Sequence, residues 1–289
     1  MTKKYAAVYK PLVERLQAET EKEQKKKPDN IKAVKTKLHQ LYGAYTQDNA
    51  HKKAAAIISA LEERRKQDNP STSERANVCP QYVNEAAVSL LPLHASTKER
   101  LPHYAGFYEF ILSHTGPVES ILDIGCGYNP FSIPLMAGAW AGRFDNEGQS
   151  PAAKLKTYHA YDIDTRVADL INRFLVCLSL PPLANCADLA VHVPPHRADI
   201  ALMCKLIPVL EAQAPGSGFK LARELSARHL LITYPLKSLG GREKGMAKHY
   251  AAAFEKALND GELGEYSCVG QKCIGNEMLY LLSRKKVYH

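Results

Sequence analysis

The sequence lacks the features of a secreted, membrane-spanning or zinc-binding protein. No apolar run approaches the roughly 20 residues that a membrane-spanning helix needs. The first five residues have no apolar segment behind their charges, which argues against a secretory signal. The seven cysteines are irregularly spaced and form no Cys-x-x-Cys pair, unlike a disulfide framework or a structural zinc site. We therefore expect a cytoplasmic protein with reduced thiols, no metal and no membrane contact.

The chain has no excess charge of either sign outside its first quarter. Its net charge is +8, and residues 1–66 contain 16 Lys and Arg against 8 Asp and Glu, whereas residues 67–289 contain 22 of each. Such asymmetry is typical of a protein that binds a polyanion, because each neutralised phosphate releases counterions. A solvated helical face is the alternative explanation of the same charge.

The first 73 residues predict a small basic helical domain. A helix over residues 5–27 precedes a second helix, which Asp29 and Asn30 can cap, and a third helix follows. In the second and third helices the apolar residues recur at the spacing of one buried stripe: Ile31, Val34, Leu38, Leu41, Tyr45, Ala54, Ile57, Ile58 and Leu61. Residues 68–73 have the composition of a linker, so we place a domain boundary between 1–73 and 74–289.

Residues 74–289 alternate between strand and helix patterns. The predicted strands are Ser120–Ile124, Tyr158–Tyr161, Asn185–Asp188, Asp199–Cys204, His229–Thr233, Tyr266–Gln271 and Met278–Leu282. Helical patterns over 165–179, 216–227 and 246–259 separate most of them, and Ser96–Glu99 has the form of a capping box that opens an earlier helix. This alternation implies an α/β fold, a Rossmann-like parallel sheet covered on both faces. The short link at Gly275 makes the last two strands an antiparallel hairpin.

The stretch from Ile121 to Pro130 predicts a strand that runs into a ligand-binding turn. Gly125 and Gly127 let the backbone turn tightly and approach a ligand with no Cβ atom in the way. A dinucleotide-binding loop would have a third glycine where Pro130 stands. S-adenosylmethionine (SAM) has no phosphate, and Asp123 suits both the turn and the ammonium group of SAM. The pattern favours SAM over NAD, and with the seven strands it predicts a class I SAM-dependent methyltransferase domain.

Two acidic residues end neighbouring strands of this predicted sheet. Asp162, at the end of the second strand, can accept hydrogen bonds from both ribose hydroxyls. The alternative for Asp162 is to cap the helix that begins at Thr165, a role that suits Asp164 better. Asp188 ends the third strand, where its carboxylate either accepts from an adenine amino group or is an ordinary loop acid.

Several cations are placed where they would meet a ligand. Arg100 lies inside a predicted helix near its start, where a cation is disfavoured, so we expect an anionic partner. That partner is either the carboxylate of SAM or a nearby Glu. Lys205, Lys237 and Arg242 follow two strands at the edge where open α/β sheets bind ligands, and they suit phosphate contacts.

Five stretches together resemble one protein family in the same order along nearly the whole chain: residues 37–45, His94–Arg100, Asp123–Phe131, Tyr234–Met246 and Gly275–Met278. They are similar to the Arm/Rmt group of aminoglycoside-resistance 16S ribosomal RNA methyltransferases. The resemblance implies that a methyl group passes from SAM to N7 of guanine 1405, leaving S-adenosylhomocysteine and blocking drugs of the gentamicin and kanamycin type. It also implies that the N-terminal helices dock on the small (30S) ribosomal subunit, and we expect a monomer.

Residues and resemblance together give three sets of candidate site residues. The cofactor set is His94, Arg100, Asp123, Gly125, Cys126, Gly127, Asn129, Asp162, Ile163, Asp188 and Leu189. The RNA-binding set is Lys32, Lys35, Lys37, His39, Lys52 and Lys53, and the set near the target base is Lys205, Lys237 and Arg242.

The predicted chemistry needs no general base, because guanine N7 carries a lone pair and no proton. The reaction would be accelerated by alignment of N7 with the methyl group and by desolvation of SAM. An Asn-Pro-Pro-aromatic motif, which methyltransferases of exocyclic amines use, is absent from the sequence. The alternatives are an adenine N1 methyltransferase acting at a neighbouring position and a non-catalytic ribosome-binding protein of the same fold. A small-molecule methyltransferase would leave the N-terminal charge unexplained.

Overall fold

A computed structural model of the protein describes residues 5–23, 27–43, 49–67, 81–138, 155–237 and 246–285. The helices are α1 (Lys10–Glu23), α2 (Lys27–Leu38), α3 (Ala50–Gln67), α4 (Gln81–Leu90), α5 (Ala95–Arg100), α6 (Tyr104–Thr115), α7 (Ile133–Gly138), α8 (Thr165–Cys177), α9 (Ile207–Gln213), α10 (Ser217–Glu224) and α11 (Met246–Asn259). The strands are β1 (Ser120–Ile124), β2 (Thr157–Asp162), β3 (Ala184–Cys186), β4 (Ala198–Cys204), β5 (Ala227–Pro235), β6 (Tyr266–Ile274) and β7 (Glu277–Arg284). No helix within these ranges has both the length and the apolar character needed to span a membrane.

The strands form one seven-stranded sheet in the order β3-β2-β1-β4-β5-β7-β6. Strands β1 to β5 pair in parallel, while β7 runs antiparallel to both β5 and β6. The predicted Rossmann-like sheet with a terminal antiparallel hairpin is confirmed. The strand order reverses between β1 and β4, which is the point where open α/β sheets bind ligands at the carboxyl ends of the strands.

The central strands of the sheet are buried on both faces, which is why they are apolar at successive positions. Ile121 of β1 belongs to a core that β1 shares with α3, α4, α6, α7 and α8. The next residue, Leu122, belongs to a second core on the opposite face, which includes side chains of α9, α10 and α11. Successive side chains of a strand point to opposite faces, so the apolar run fills both cores at once.

The N-terminal helices pack directly on the end of β2. Helices α1 and α2 share a third apolar core, and Ile163 packs against it. The backbone nitrogen of Tyr9 donates to the carbonyl of Ile163 at 2.7 Å, and that of Thr165 donates to Ala7 at 2.9 Å. Helix α3 contributes instead to the larger core, through Ala54 and its neighbours. The boundary proposed near residue 73 lies in the stretch 68–80, outside the described residues.

The structure corrects several helix boundaries. Helix α1 begins at Lys10 rather than at residue 5, and α2 already begins at Lys27. Asp29 and Asn30 therefore lie inside α2 rather than capping it. The proline between Lys27 and Asp29 occupies the first turn, where a missing N–H group costs nothing. Ile31, expected in the buried stripe, is 59% exposed.

The predicted capping box at residues 96–99 is wrong. Helix α5 begins at Ala95, and the hydroxyl of Thr97 donates to the carbonyl of Leu91 at 2.6 Å instead of capping. The helix ends at Arg100, because a short 3₁₀ turn with a proline in it follows. Arg100 thus lies at the C-terminal end of a helix, where a cation is favoured, and not in a first turn.

Candidate functional site

A cleft lies at the carboxyl ends of β1, β2 and β4. The side chains and backbone around it are those of Leu12, Leu41, His94, Ser96, Thr97, Arg100, Gly125, Cys126, Gly127, Asp162, Ile163, Val167, Asp188, Leu189, Cys204, Lys205, Leu206, Val209, Leu210 and Gln213. All but two of the residues predicted to hold the cofactor are among them. The exceptions, Asp123 and Asn129, lie behind the wall of the cleft and hold other residues in place.

The turn after β1 is built so that two glycines face close neighbours. Gly125 has a φ of 66° and Gly127 a φ of 51°, a region that residues with a side chain rarely adopt. A Cβ atom on Gly127 would lie 2.9 Å from Cε1 of His94, and one on Gly125 would lie 2.7 Å from Cδ1 of Leu206. The turn therefore requires glycine for both conformation and space.

The carboxylate of Asp162 is held by backbone N–H groups on both sides of the cleft floor. Gly127 donates to Oδ2 at 2.9 Å, while Ile163 and Asp164 donate to Oδ1 at 2.8 and 3.0 Å. Burial raises the pKa of Asp162 above its ordinary value, against the effect of these hydrogen bonds. Asp164 caps α8 by accepting from the backbone of Arg166 at 2.8 Å. Of the two acids it is Asp162 that lines the cleft and Asp164 that caps the helix.

Asp188, after β3, is bound by a cation from the N-terminal helices. Nε of Arg15 donates to Oδ2 at 2.6 Å and Nη2 donates to Oδ1 at 3.1 Å. Asp188 is only 5% exposed and lines the cleft, so it is not an ordinary loop acid. Sequence reasoning missed Arg15, because its partner lies 173 positions away.

Arg100 lines the cleft and is buried, and within the chain its partner is a distant glutamate rather than the nearby one considered from the sequence. Nε and Nη2 donate to the two oxygens of Glu277 on β7 at 3.1 and 2.8 Å, and Nη1 donates to Asn129 at 2.9 Å. Burial by itself would raise the pKa of Glu277, but Arg100 and Lys205 hold it below its ordinary value. Arg100 and Glu277 are 177 positions apart, so no local pattern in the sequence marked them as a pair.

Asp123 is connected to Arg100 through Asn129, which hydrogen-bonds to both. Its Oδ2 accepts from Tyr158 at 2.6 Å and from Asn129 at 2.9 Å. No residue in the described part of the chain donates to Oδ1. Burial raises the pKa of Asp123 to about 6, although the two hydrogen bonds lower it. Asp123 therefore lies behind the wall of the cleft, where it holds Asn129 just after the glycine turn.

The three cations predicted near the target differ in their placement. Lys205 lines the cleft in a left-handed conformation, with φ of 57°, and its ammonium lies 2.7 Å from Glu99 and 3.3 Å from Glu277. Lys237 is exposed beyond the end of β5. Arg242 lies outside the described residues.

The predicted RNA-binding residues lie on the surface of α2, α3 and the turn after α2. Lys32, His39, Lys52 and Lys53 are exposed, while Lys35 and Lys37 are half-buried. Nζ of Lys37 lies 3.9 Å from a carboxylate oxygen of Glu19.

The cleft suits a ligand with both charge signs and an apolar body. Its lining includes the carboxylates of Asp162 and Asp188, the guanidinium of Arg100 and apolar side chains such as Leu189. A nucleoside joined to an amino acid has this chemistry. No group of three or more His, Cys, Asp and Glu residues that could hold a metal ion occurs in the described part of the chain.

Comparisons with known proteins agree with this geometry. The family model described as "Ribosomal RNA methyltransferase (FmrO)" matches residues 1–280. A 16S rRNA (guanine(1405)-N(7))-methyltransferase of Proteus mirabilis is 32% identical over 97% of this chain and 93% of its own length. One of the same description from Serratia marcescens is 31% identical, covering 98% and 94%.

Solved structures show the same fold over almost the whole chain. A crystal structure of the 16S rRNA methyltransferase RmtF in complex with S-adenosyl-L-homocysteine superposes with a TM-score of 0.75 at 30% identity, covering 97% of this chain and 93% of that one. The 16S rRNA methylase RmtB has a TM-score of 0.72 at 27% identity, covering 98% and 94%.

Proposed function

Because the chain belongs to the ribosomal RNA methyltransferase (FmrO) family, we propose that it transfers the methyl group of SAM to N7 of guanine 1405 in 16S rRNA. The observation that carries the proposal is the cleft itself, whose lining includes the Gly125–Gly127 turn, the carboxylate of Asp162 and the guanidinium of Arg100. The relatives from Proteus mirabilis and Serratia marcescens, which this chain matches over 93% and 94% of their length, are named for methylation of this nucleotide.

The residues of the cleft fit SAM at each of its three parts. Asp162 would accept from the ribose hydroxyls, and Asp188 would accept from the adenine amino group beside Leu189. Arg100 would meet the methionine carboxylate, with its remaining donors already fixed by Glu277 and Asn129. SAM, when bound, supplies an electrophilic methyl group on sulfur.

The protein's part in the reaction is to align the guanine with the methyl group of SAM and to exclude water. Guanine N7 has a lone pair and no proton, so no side chain has to remove one. Apolar residues of the cleft, such as Val209 and Leu210, would keep water from the reacting atoms. Lys205, Lys237 and Arg242 would lie near the target base and its phosphates. The base must leave its helix to reach the cleft, at a cost of a few kcal/mol that RNA contacts offset.

The N-terminal residues 1–73 would act as the docking domain on the assembled 30S subunit. Lys32, Lys52, Lys53 and His39 are exposed on the N-terminal helices, where they suit the phosphates of folded RNA. A methyl group at N7 of guanine 1405 would then protect the ribosome from aminoglycosides.

The proposal is tested by incubating the protein with radiolabelled SAM and purified 30S subunits and then locating the labelled nucleotide. We expect label at N7 of guanine 1405. Label at N1 of a neighbouring adenine would assign the other decoding-site activity instead. SAM binding with no label on any RNA would mean a non-catalytic ribosome-binding protein.

The docking role has its own variant pair. Replacing Lys52 and Lys53 with alanine should weaken methylation of 30S subunits at low salt by about tenfold, since two phosphate contacts are lost. Lys256→Ala, which removes an exposed cation on α11, is the matched control and should have no effect. SAM affinity should be unchanged in both variants. Equal activity of the double variant and the control would reject this docking surface.

A further inference from the structure

Helix α1 forms part of the cleft, although it lies far from the sheet in sequence. Leu12 lines the cleft directly. Arg15, one turn further along α1, does not line it but lies behind Asp188, with its side chain 17% exposed. The helix therefore reaches the cleft twice, once with an apolar side chain and once through an ion pair.

The guanidinium of Arg15 joins three separate segments of the wall. Besides its two hydrogen bonds to Asp188, Nη2 donates to Oε1 of Gln213 at 3.2 Å. Nη1 donates to Glu19 at 2.6 Å, which fixes the guanidinium along α1. Asp188 and Gln213 both line the cleft, one from the loop after β3 and the other from the end of α9. One side chain thus sets the distance between α1, that loop and α9.

Asp188 depends on this cation for its orientation. Within its own loop, the carboxylate of Asp188 accepts from the backbone N–H of Ala190, to Oδ1 at 3.3 Å. The bonds from Arg15 are shorter or use the second oxygen, and a fork of two parallel N–H groups fixes the plane of a carboxylate. A buried carboxylate that loses its cation is left with an uncompensated charge, so it would turn or take up water.

We propose that Arg15 is a positioning residue of the cofactor site, which holds the carboxylate of Asp188 toward the nucleoside end of SAM and thereby couples cofactor binding to the docking of α1. This inference rests on the proposed function, because it takes SAM as the ligand. Coupling between two sites is reciprocal: if docked α1 strengthens SAM binding, bound SAM strengthens the docking of α1 by the same factor. The cofactor would then fix the N-terminal helices before RNA arrives.

The first test measures SAM affinity by calorimetry in Arg15→Met, which keeps the apolar stem and removes the fork. We expect the affinity to fall about tenfold, or about 1.4 kcal/mol. Lys10→Ala is the matched control, because Lys10 is an exposed cation on the same helix that pairs only with its neighbour Glu14 at 3.6 Å among the contacts seen. Its affinity should equal that of the wild type. Arg15→Lys keeps the charge without the fork, so its SAM affinity should lie between those of Arg15→Met and the wild type.

Kinetics separate positioning from a general loss of structure. In Arg15→Met the KM for SAM should rise about tenfold, while kcat at saturating SAM stays within about twofold of the wild type. A fall in kcat with unchanged KM would overturn the proposal. If Arg15→Met is poorly folded, a double-mutant cycle of Arg15→Lys with Asp188→Asn replaces it. Additive effects on SAM affinity would then reject the coupling.

Hydrogen exchange tests the reciprocal half of the proposal. Backbone amides of α1 should exchange more slowly when SAM is bound to the wild-type protein, and Arg15→Met should abolish this difference. Identical exchange with and without SAM in the wild type would overturn the proposal. If the wild-type protein bound no SAM at all, the proposed function would fail instead, so the two failures are distinct.

Discussion

Asp162 ends β2 and Asp188 follows the neighbouring strand β3; both line the same cleft, but they are held in different ways. Asp162 accepts from three backbone N–H groups of the two turns beside it. Asp188 accepts mainly from the guanidinium of Arg15, on a helix 173 residues earlier in the chain. One side of the cleft is therefore complete within the sheet and its turns. The other side is completed by the N-terminal helices.

The self-contained side extends to Arg100. Its guanidinium, Glu277, Thr233 and the ammonium of Lys205 form a buried ion cluster, and Thr233 donates to Glu277 at 2.9 Å. All of its members belong to the sheet or to segments packed on it. We expect substitutions in this cluster to affect folding first, whereas substitutions at Arg15 should affect cofactor affinity first.

Glu277→Ala gives the largest expected effect and tests that contrast. It would leave the cations of Arg100 and Lys205 buried without their shared carboxylate, which should lower the free energy of unfolding by about 3 to 5 kcal/mol. Denaturant unfolding without SAM measures it. Glu265→Ala is the control, since that carboxylate pairs with Arg284 at 3.2 Å but is 62% exposed; its loss should cost less than about 1 kcal/mol. Similar costs for the two variants would contradict the contrast.

Gly127→Ala sharpens the comparison at the turn that supports Asp162. A left-handed alanine there costs about 1 kcal/mol, and its Cβ atom would also displace His94. We therefore expect the free energy of unfolding to fall by about 2 to 3 kcal/mol and SAM affinity to be lost. Gly216→Ala is the matched control, because Gly216 is left-handed, with φ of 84° and ψ of −10°, but has nothing within 4 Å of the added atom. That variant should lose about 1 kcal/mol of stability and keep its SAM affinity. Equal losses would mean that the contact with His94 is unimportant.

The sequence predicted the self-contained side well because its signals are local. An apolar strand followed by Gly-x-Gly, and an acid at the end of the next strand, identified Gly125, Gly127 and Asp162 without any knowledge of distant contacts. The assignment of the helix cap to Asp164 followed in the same way and is confirmed. Local hydrogen bonding and backbone conformation determine these positions.

The remaining contacts could not be predicted because they arise from tertiary docking. Arg15 has no feature in its own helix that marks it as a partner of Asp188, and Arg100 has none that points to Glu277. The start of α5 was misplaced because Thr97 donates to Leu91, a carbonyl in the preceding turn, and periodicity carries no information on such a bond. Leu12 joins the cleft only because α1 packs on the end of β2.

The smallest expected effect concerns pH and again separates the two sides of the cleft. Burial, together with Arg100, Lys205 and His51, lowers the pKa of His94 to about 4 from an ordinary value of 6.5. The folded protein then binds that proton less readily than the unfolded chain. His94 therefore contributes stability that is complete above pH 6.5 and is lost as the pH falls toward 4. Asp123, with a pKa raised to about 6, acts in the opposite direction, since its contribution grows as the pH falls below 6.

Replacing His94 with glutamine, which does not titrate, should expose the contribution of Asp123. Between pH 7 and pH 5 the unfolding free energy of His94→Gln should fall less than that of the wild type, by a difference on the order of 1 kcal/mol. Urea unfolding at both pH values measures this difference. The ring centroids of His94 and Tyr128 are 5.5 Å apart in a stacked pair, so the value at pH 7 serves as the reference for any loss of this packing. Arg15→Met should follow the wild-type pH dependence, because Arg15 is not among the groups that shift the pKa of His94. If Arg15→Met changed the pH dependence as much as His94→Gln does, the two sides of the cleft would be one electrostatic unit, and the separation argued from Asp162 and Asp188 would be wrong.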